Sequence, residues 1–273
     1  SGSAPARVRG LPRHAPRAGP VRATAAASGD PLSRAARLLQ RDPEFALTSF
    51  ARTAFFAAQS LVASPQAPWT SPVAPEGASD ALEGDVTLGG GADALLALYE
   101  RDLDNVSRGV YKAPYDFGPP TPETKAVEVR KAIAYVSQEL PAMLQRRAQG
   151  TGATVSSAVS ESPEYPQYYK NNWHNMSDGY LSSISAETYD FQTETLFVGL
   201  TDLMRRITLE SVSSHINSLG PDADVHVLDV ACGTGRLLGF ARDSFPSNVR
   251  LSGCDLSPQY LKAAKEWLPP FGF

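Results

Sequence analysis

The chain has 273 residues, of which 42% are hydrophobic, and a formal net charge of -4. This length allows one large domain or two small ones, and the acidic balance argues against a general nucleic-acid binder, which would carry a basic stripe. No run of about 18 apolar residues is present, so no transmembrane helix is expected. The two cysteines, Cys232 and Cys254, lie outside any CxxC or Cys/His cluster, so no metal site is predicted.

The amino-terminal segment is basic. Residues 1–27 contain five arginines and no acidic residue, and they are rich in Ala, Pro and Ser. This composition is typical of an organelle transit peptide. We therefore predict a disordered transit peptide over residues 1–27, directed to the chloroplast, with the mitochondrion as the alternative destination. A disordered basic tail is the other interpretation. Because the chain begins at Ser1 rather than Met, we expect that its start has been lost or trimmed.

Residues 28–150 are expected to form a mainly helical region. Helix-favouring residues run from Pro31 to about Ala63. Their apolar stripe comprises Leu38, Phe45, Phe50, Phe55, Phe56 and Leu61. A Pro/Gly/Ser-rich acidic stretch predicts a linker at 64–91. A helix is expected at 92–109, followed by an extended proline-rich loop.

A longer helix is predicted over about Pro122–Arg147. Apolar residues recur there at spacings of three and four and define one face, consisting of Val129, Ile133, Val136, Leu140 and Leu144. Pro141 is expected to kink or break this helix, because proline has no backbone N–H to donate.

A second linker, predicted at 148–164, leads into the remaining region, residues 151–273. An aromatic-rich segment then spans 165–189 and includes Tyr165, Tyr168, Tyr169, Trp173, His174, Tyr180 and Tyr189. We interpret it either as core and cap packing or as a lid over a substrate. One helix is predicted over 193–216, with a buried side made of Leu196, Leu200, Leu203, Ile207 and Val212.

A strand, a glycine turn and a helix follow in "VHVLDVACGTGRLLGF", residues 225–240. The apolar run predicts a strand buried in a parallel sheet, and no convincing strand precedes it. "NVRLSGCDLS" predicts a second strand, parallel to the first, and "SPQYLKAAKEWL" a second helix. Asp229 and Asp255 then lie at the carboxyl ends of the two strands, the edge where open α/β sheets bind ligands.

Two classes of cofactor compete for this turn. A dinucleotide site needs three glycines, but the aligned positions are Ala231, Gly233 and Arg236. Asp229, just before the turn, would also repel a pyrophosphate. S-adenosylmethionine carries a sulfonium and an ammonium group and no phosphate, so it suits an acid that precedes a glycine turn. Asp255 is placed to accept both hydroxyls of a ribose.

Two motifs resemble those of a known enzyme family. "VLDVACGTG" resembles motif I of the class I S-adenosylmethionine-dependent methyltransferases, and "LSGCDLSPQYL" resembles their following acidic motif. Residues 178–206 are similar to plastid and cyanobacterial methyltransferase-like proteins without an assigned substrate. The resemblance implies an α/β fold, in which a mainly helical N-terminal region precedes the first βαβα part of a Rossmann-like methyltransferase sheet.

The resemblance also implies a set of cofactor-binding residues: Asp229, Ala231, Cys232, Gly233, Thr234, Gly235, Asp255 and Leu256. In the family the turn lines the methionine moiety, Asp255 would bind the ribose, and Leu256 would flank the adenine. Cys232 is interpreted as a small loop residue rather than a nucleophile, because no base partner is evident. No catalytic residue is predicted, since methyl transfer needs chiefly an in-line approach and a desolvated site.

Family members continue with further strands, whereas only 49 residues run from Val225 to Phe273. We therefore expect residues 151–273 to hold the aromatic-rich cap and a partial, C-terminally truncated methyltransferase domain. Two functions follow from this expectation. The chain is either an incomplete copy of a methyltransferase that acts on a small molecule, or a non-catalytic interaction or structural protein that kept this part of the fold.

Overall fold

The computed structural model describes residues 30–63, 88–113, 129–148, 165–170 and 179–268. The predicted transit peptide at 1–27, most of both predicted linkers and the proline-rich loop lie outside these residues, as do Trp173 and His174. The described part is mainly helical and contains one two-stranded parallel sheet. None of its helices is both long and apolar enough to cross a membrane.

The described elements follow a simple order along the chain. They are α1 (Pro31–Arg41), α2 (Pro43–Ala63), α3 (Leu88–Ser107), α4 (129–148), α5 (Gln167–Lys170), α6 (Ser183–Leu196), α7 (Thr201–Leu219), β1 (His226–Val230), α8 (Arg236–Ser244), β2 (Arg250–Cys254) and α9 (Pro258–Trp267). β1 and β2 pair in parallel, with Asp229 opposite Gly253. This confirms the predicted strand–helix–strand–helix order, and no strand precedes β1 in the described residues.

The first helical stretch is divided at Asp42. Its backbone there is extended, as is usual for a residue before proline, and its side chain accepts the N–H of Phe45 at 2.9 Å. Asp42 thereby caps the start of α2. Of the predicted stripe, Leu38, Phe45 and Phe56 are buried, Phe50 is half-buried and Phe55 is exposed, while the side chain of Leu61 is outside the described ones.

The linker predicted at 64–91 extends too far, because α3 begins at Leu88 and includes the glycines at 89–91. Glycine weakens the middle of a helix. In a first turn, however, the backbone N–H groups have no intrahelical partner in any case. The helix-favouring residues that follow residue 91 therefore stabilise α3, and the glycines extend it at its amino-terminal end.

The apolar face predicted for α4 is wrong in its first half. Val129, Ile133 and Val136 are exposed, whereas Tyr135 and Leu140 are buried. A π-helical turn at Tyr135–Glu139 interrupts the α-helical period and shifts which side chains share a face. It lies just before Pro141, so the helix passes through the proline without ending there.

The single helix predicted over 193–216 is also wrong, because the chain turns between α6 and α7. Val198 and Gly199 have φ of 47° and 84°, and the N–H of Gly199 donates to the carbonyl of Glu194 at 2.8 Å. This bond closes the end of α6. Leu196, predicted to be buried, is exposed as a result, whereas Leu203 further on is buried as expected.

Helix α7 contributes to two hydrophobic cores. The first joins α7 to α1, α2 and α3 and comprises Leu38, Phe45, Ala46, Leu96, Tyr99, Leu103 and Leu203. The second joins it to α8 and the sheet region and comprises Tyr111, Leu209, Ile216, Phe240, Ala241, Phe245 and Val249. A third core brings α2, α4 and α6 together through Phe56, Tyr135, Leu140, Met143 and Phe191. The helices that precede β1, here called the helical front, are thus packed against the sheet region through α7, which contributes to both of the first two cores.

Only one face of the sheet is covered by described residues. Val227 and Leu251 pack into the core beneath α8, but Leu228 and Val230 are 55% and 70% exposed. The prediction that β1 is buried on both faces does not hold within the described part of the chain. The two strands therefore rely on α7, α8 and α9 for their packing.

A buried ionic cluster centred on Asp202 connects the helices to the sheet. The Arg236 guanidinium, at the start of α8, donates to both carboxylate oxygens of Asp202 at 2.6–3.2 Å. Arg52 of α2 and Arg205 of α7 also bond to Asp202, at 3.2 and 3.1 Å. Burial alone would raise the pKa of Asp202, but these arginines hold it well below the ordinary range. Asp202 is therefore ionised at neutral pH.

Replacing Asp202 with Asn is expected to lower the free energy of unfolding by about 3–5 kcal/mol, because buried guanidinium groups lose their counter-charge. Urea denaturation followed by circular dichroism would measure the change. Asp224→Asn is the matched control: its pair with Arg250 is solvent-exposed, with 79% and 62% of the side chains accessible. Asp224→Asn should lower the free energy of unfolding by less than about 1 kcal/mol. Equal effects of the two substitutions would contradict this account.

Candidate cofactor site

The loop between β1 and α8 is a tight left-handed turn. Gly233 and Gly235 have φ of 57° and 74°, a conformation that glycine adopts without strain. Ala231 also has a positive φ, of 63°, although it carries a Cβ. The N–H of Gly235 donates to the carbonyl of Cys232 at 2.8 Å and closes the turn.

The two glycines of the turn differ in what approaches them. A Cβ on Gly235 would lie 2.5 Å from Leu268 Cδ1 and 3.3 Å from Ala264 Cβ. The space that the missing side chain leaves is thus filled by the α9 region, so Gly235 allows helix packing behind the loop. A Cβ on Gly233 would meet only the Tyr260 ring, at 3.8 Å, which leaves more room at the front of the turn.

Asp255 follows β2 directly and is bonded to the glycine turn. Its Oδ2 accepts the N–H of Gly233 at 2.9 Å, and its Oδ1 accepts the N–H of Ser257 at 2.8 Å. Oδ1 also accepts a bond from the Tyr169 hydroxyl at 3.3 Å. The structure thus places Asp255 at the carboxyl end of β2, as predicted, and uses it to hold the turn in place.

Asp229 lies near the end of β1, in the strand position opposite Gly253, and is half-buried. Burial raises the pKa of Asp229, the charge of Arg205 opposes this rise, and the charge of Asp255 adds to it. Two carboxylates from neighbouring strands therefore act on one another electrostatically at the same sheet edge. This makes the edge favourable for a cation.

Thr234 is anchored to the helical front. Its hydroxyl donates to Asp190 of α6, with both carboxylate oxygens 3.0 Å away. Arg205 donates to Asp190 at 3.3 Å and to Asp202 at 3.1 Å. The turn is consequently tied to α6 on one side and to Asp255 on the other. Asp190 and Arg205 were not identified from the sequence, because a tie between distant residues has no local pattern.

Cys232 is buried between the turn and β2. A Cβ on Gly253 would lie 2.8 Å from its Sγ atom, so this glycine permits the close packing of the thiol. Burial raises the pKa of Cys232 to about 12, and the charges of Asp229 and Asp255 contribute to the rise. The thiol therefore stays protonated at neutral pH, as befits a small packing residue rather than a nucleophile.

Leu256 and Ala231 lie at the open side of the site. Leu256 is 51% exposed, and Ala231 is also exposed. An apolar side chain left in solvent beside Asp255 is available to contact the flat face of a ligand. The structure thus brings all eight predicted residues to the carboxyl edge of the sheet: Asp229 lies near the end of β1, and the other seven lie in the two loops that follow the strands.

An aromatic layer lies beside the turn. Tyr180 and Tyr189 of the aromatic-rich segment contact the ring of Tyr260 edge-on, with ring centres 6.0 and 5.2 Å from that of Tyr260. The Tyr260 hydroxyl is buried with no hydrogen-bond partner among the described residues. Tyr260 was not predicted as a site residue from the sequence. The available signal was its position three residues after Ser257, which places it in the first turn of α9, next to Asp255.

These features define what the site can do chemically. It offers a carboxylate near the end of each strand, a turn with space in front of Gly233, and the exposed side chain of Leu256 beside Asp255. Such a set suits a ligand with a positive charge and a pair of hydroxyl groups. No cluster of three or more His, Cys, Asp or Glu able to hold a metal ion occurs in the described ranges.

The two glycines of the turn should respond differently to substitution. Gly233→Ala is expected to lower the free energy of unfolding by about 1–2 kcal/mol, because alanine is strained at positive φ. Gly235→Ala should lower it by about 1–3 kcal/mol more, since its methyl group also collides with Leu268. Thermal unfolding of both variants tests this order, and a Gly235→Ala protein no less stable than Gly233→Ala would contradict it.

Comparison with known families agrees with this geometry. A family model described as a methyltransferase domain matches residues 227–272, which begin in β1 and include every predicted cofactor-binding residue. No curated protein and no solved structure matches the chain. The segment from residue 227 to residue 272 is thus similar to a methyltransferase domain.

Proposed function

We propose that this site binds S-adenosylmethionine and that the protein takes part in methyl transfer to a small molecule. One observation carries the proposal. Asp229 and Asp255, at neighbouring strand ends, flank one left-handed glycine turn inside the segment that resembles a methyltransferase domain. A phosphate-bearing cofactor would be repelled at this edge.

Each part of the site has a role in this proposal. Asp229 would attract the positive charge of the methionine portion, and Asp255 would accept the ribose hydroxyl groups. The backbone of the turn would lie against the ligand at Gly233, where the structure leaves more space than at Gly235. Leu256 would cover one face of the adenine.

The cofactor would supply an activated methyl group, and the protein's own residues would orient it and limit water. Asp229, Asp255 and the turn at Gly233 would hold the cofactor in one position, from which its methyl group would be transferred to the substrate. Positioning of this kind lowers the barrier by up to about 7–11 kcal/mol. The aromatic layer of Tyr180, Tyr189 and Tyr260 would exclude water from the side of the turn that faces α6 and α9.

The choice of a small molecule as substrate is supported by the acidic balance of the chain, with 29 acidic against 25 basic residues. A nucleic-acid substrate would call for a basic surface.

We further propose a chloroplast location, for which the arginine-rich, acid-free composition of residues 1–27 is the support. If residues 1–27 are a cleaved transit peptide, mass spectrometry of the native protein should show a mature N-terminus between about Ala23 and Asp30.

Replacing Asp255 or Asp229 with Ala is expected to weaken S-adenosylmethionine binding by about 1–3 kcal/mol each, the cost of leaving ligand groups unpaired. Isothermal titration calorimetry would measure the affinities. Asp224→Ala, which removes an exposed acid that lies before β1 and pairs with Arg250 of β2, is the control and should leave binding unchanged. Unaltered affinity in both site variants would contradict the proposed function.

Binding should also depend on pH through Asp229. Its pKa is raised, and a cationic ligand favours the ionised carboxylate. Affinity is therefore expected to be full above this pKa and to fall as the pH decreases through it, because a proton must then be displaced. The Asp229→Asn variant should bind more weakly at neutral pH and lose this part of the pH dependence. Calorimetric titrations between neutral and mildly acidic pH would measure the affinity of both proteins. The same dependence of affinity on pH in the two proteins would contradict this prediction.

A further inference from the structure

The carboxylate of Asp255 is almost fully used within the chain. An ionised carboxylate offers about four lone-pair positions to hydrogen-bond donors. Three donors among the described residues occupy it: the N–H of Gly233 on Oδ2, and the N–H of Ser257 and the hydroxyl of Tyr169 on Oδ1. The described part of the chain thus leaves one position, whereas a ribose that binds through both hydroxyl groups needs two.

The three donors are not equally fixed. Gly233 and Ser257 donate from the backbone of the turn and of the cap of α9, at 2.9 and 2.8 Å, so their bonds are part of the fold. Tyr169 donates from a side chain 86 positions away in sequence, over a longer distance of 3.3 Å. It belongs to α5, a helix of only four residues. Tyr169 is therefore the donor that a ligand can replace.

Ring stacking holds the Tyr169 hydroxyl in its place. The Tyr169 ring lies between those of Tyr165 and Tyr180, with ring centres 6.0 and 5.5 Å apart and planes inclined by 20° and 25°. Burial raises the pKa of Tyr169, and the charge of Asp255 adds to the rise. The hydroxyl is consequently a donor throughout the neutral range, and the stack aims it at the carboxylate.

We propose that Tyr169 guards the ribose-binding carboxylate: its hydroxyl holds the acceptor position on Asp255 that one ribose hydroxyl requires, and the cofactor binds by replacing it. This inference rests on the proposed function, since it assumes that Asp255 receives a ribose. It assigns to the aromatic segment a role at the cofactor rather than at the methyl acceptor. Binding then moves Tyr169, and with it α5, away from Asp255.

The test compares Tyr169→Phe with the full wild-type chain and uses S-adenosylhomocysteine as the ligand in calorimetry. Phenylalanine keeps the ring stack and removes only the competing hydroxyl. The variant is expected to bind about three- to ten-fold more tightly, the equilibrium effect of one net hydrogen bond. Tyr165→Phe removes a hydroxyl from the neighbouring ring of the same stack and should leave the affinity unchanged.

Analogues of the ligand sharpen the result. With 2′-deoxy and 3′-deoxy S-adenosylhomocysteine, the gain in Tyr169→Phe should disappear for the analogue that lacks the hydroxyl competing with Tyr169, and persist for the other. A gain that persists for both analogues, or an equal gain in Tyr165→Phe, would show that the substitution merely loosens the stack, and would overturn the guard.

The remaining outcomes separate the guard from the proposed function. If the wild-type chain binds the ligand and Tyr169→Phe binds equally well or more weakly, the guard is wrong while the proposed function stands. If neither protein binds, the proposed function is wrong and the guard falls with it. Binding by Tyr169→Phe alone would support both, because the hydroxyl would then be blocking the site.

Discussion

The bond between Asp202 and Arg236 is the interaction on which the arrangement of this protein depends. Arg236 is the first residue of α8 and follows the glycine turn directly, while Asp202 lies in the first turn of α7. Both are buried, and buried charges are tolerated only when they are paired and hydrogen-bonded. The pair therefore fixes the start of α8, and with it the turn, against α7. Because Arg52 of α2 reaches the same carboxylate, the amino-terminal helices are tied to this point as well.

The candidate site is consequently shared between distant parts of the chain. Asp190 of α6 holds the turn through Thr234, and Asp255 holds it through Gly233. Arg205 links Asp190 to the Asp202 cluster, because it bonds to both carboxylates, and its charge also acts on Asp229. The helical front is thus more than a neighbour of the sheet. It supplies the groups that position the turn and the aromatic side chains that surround Asp255.

Sequence patterns were reliable where structure is determined locally and less so where it is not. The strand, turn and helix around Gly233 and Gly235 were predicted correctly, since glycine is the residue that adopts positive φ without strain. The division between α6 and α7 was missed, although Gly199 in the middle of the pattern was a visible signal. For α4, the apolar residues at 129, 133 and 136 suggested a buried face. In the structure, a different face of α4 is buried, because a π-helical turn shifts the helical period and Tyr135 contacts Phe191.

The sequence by itself determined the order of elements at the carboxyl end, the left-handed turn and the placement of Asp229 and Asp255 at the sheet edge. These features follow from residue conformational preferences and from the alternation of strand and helix, which act over a few residues. Only the tertiary structure decided which groups surround that edge. Tyr169 reaches Asp255 across 86 positions, and Thr234 reaches Asp190 across 44. Such contacts depend on how buried charges and aromatic rings find partners when helices pack together, and no short stretch of sequence encodes that outcome.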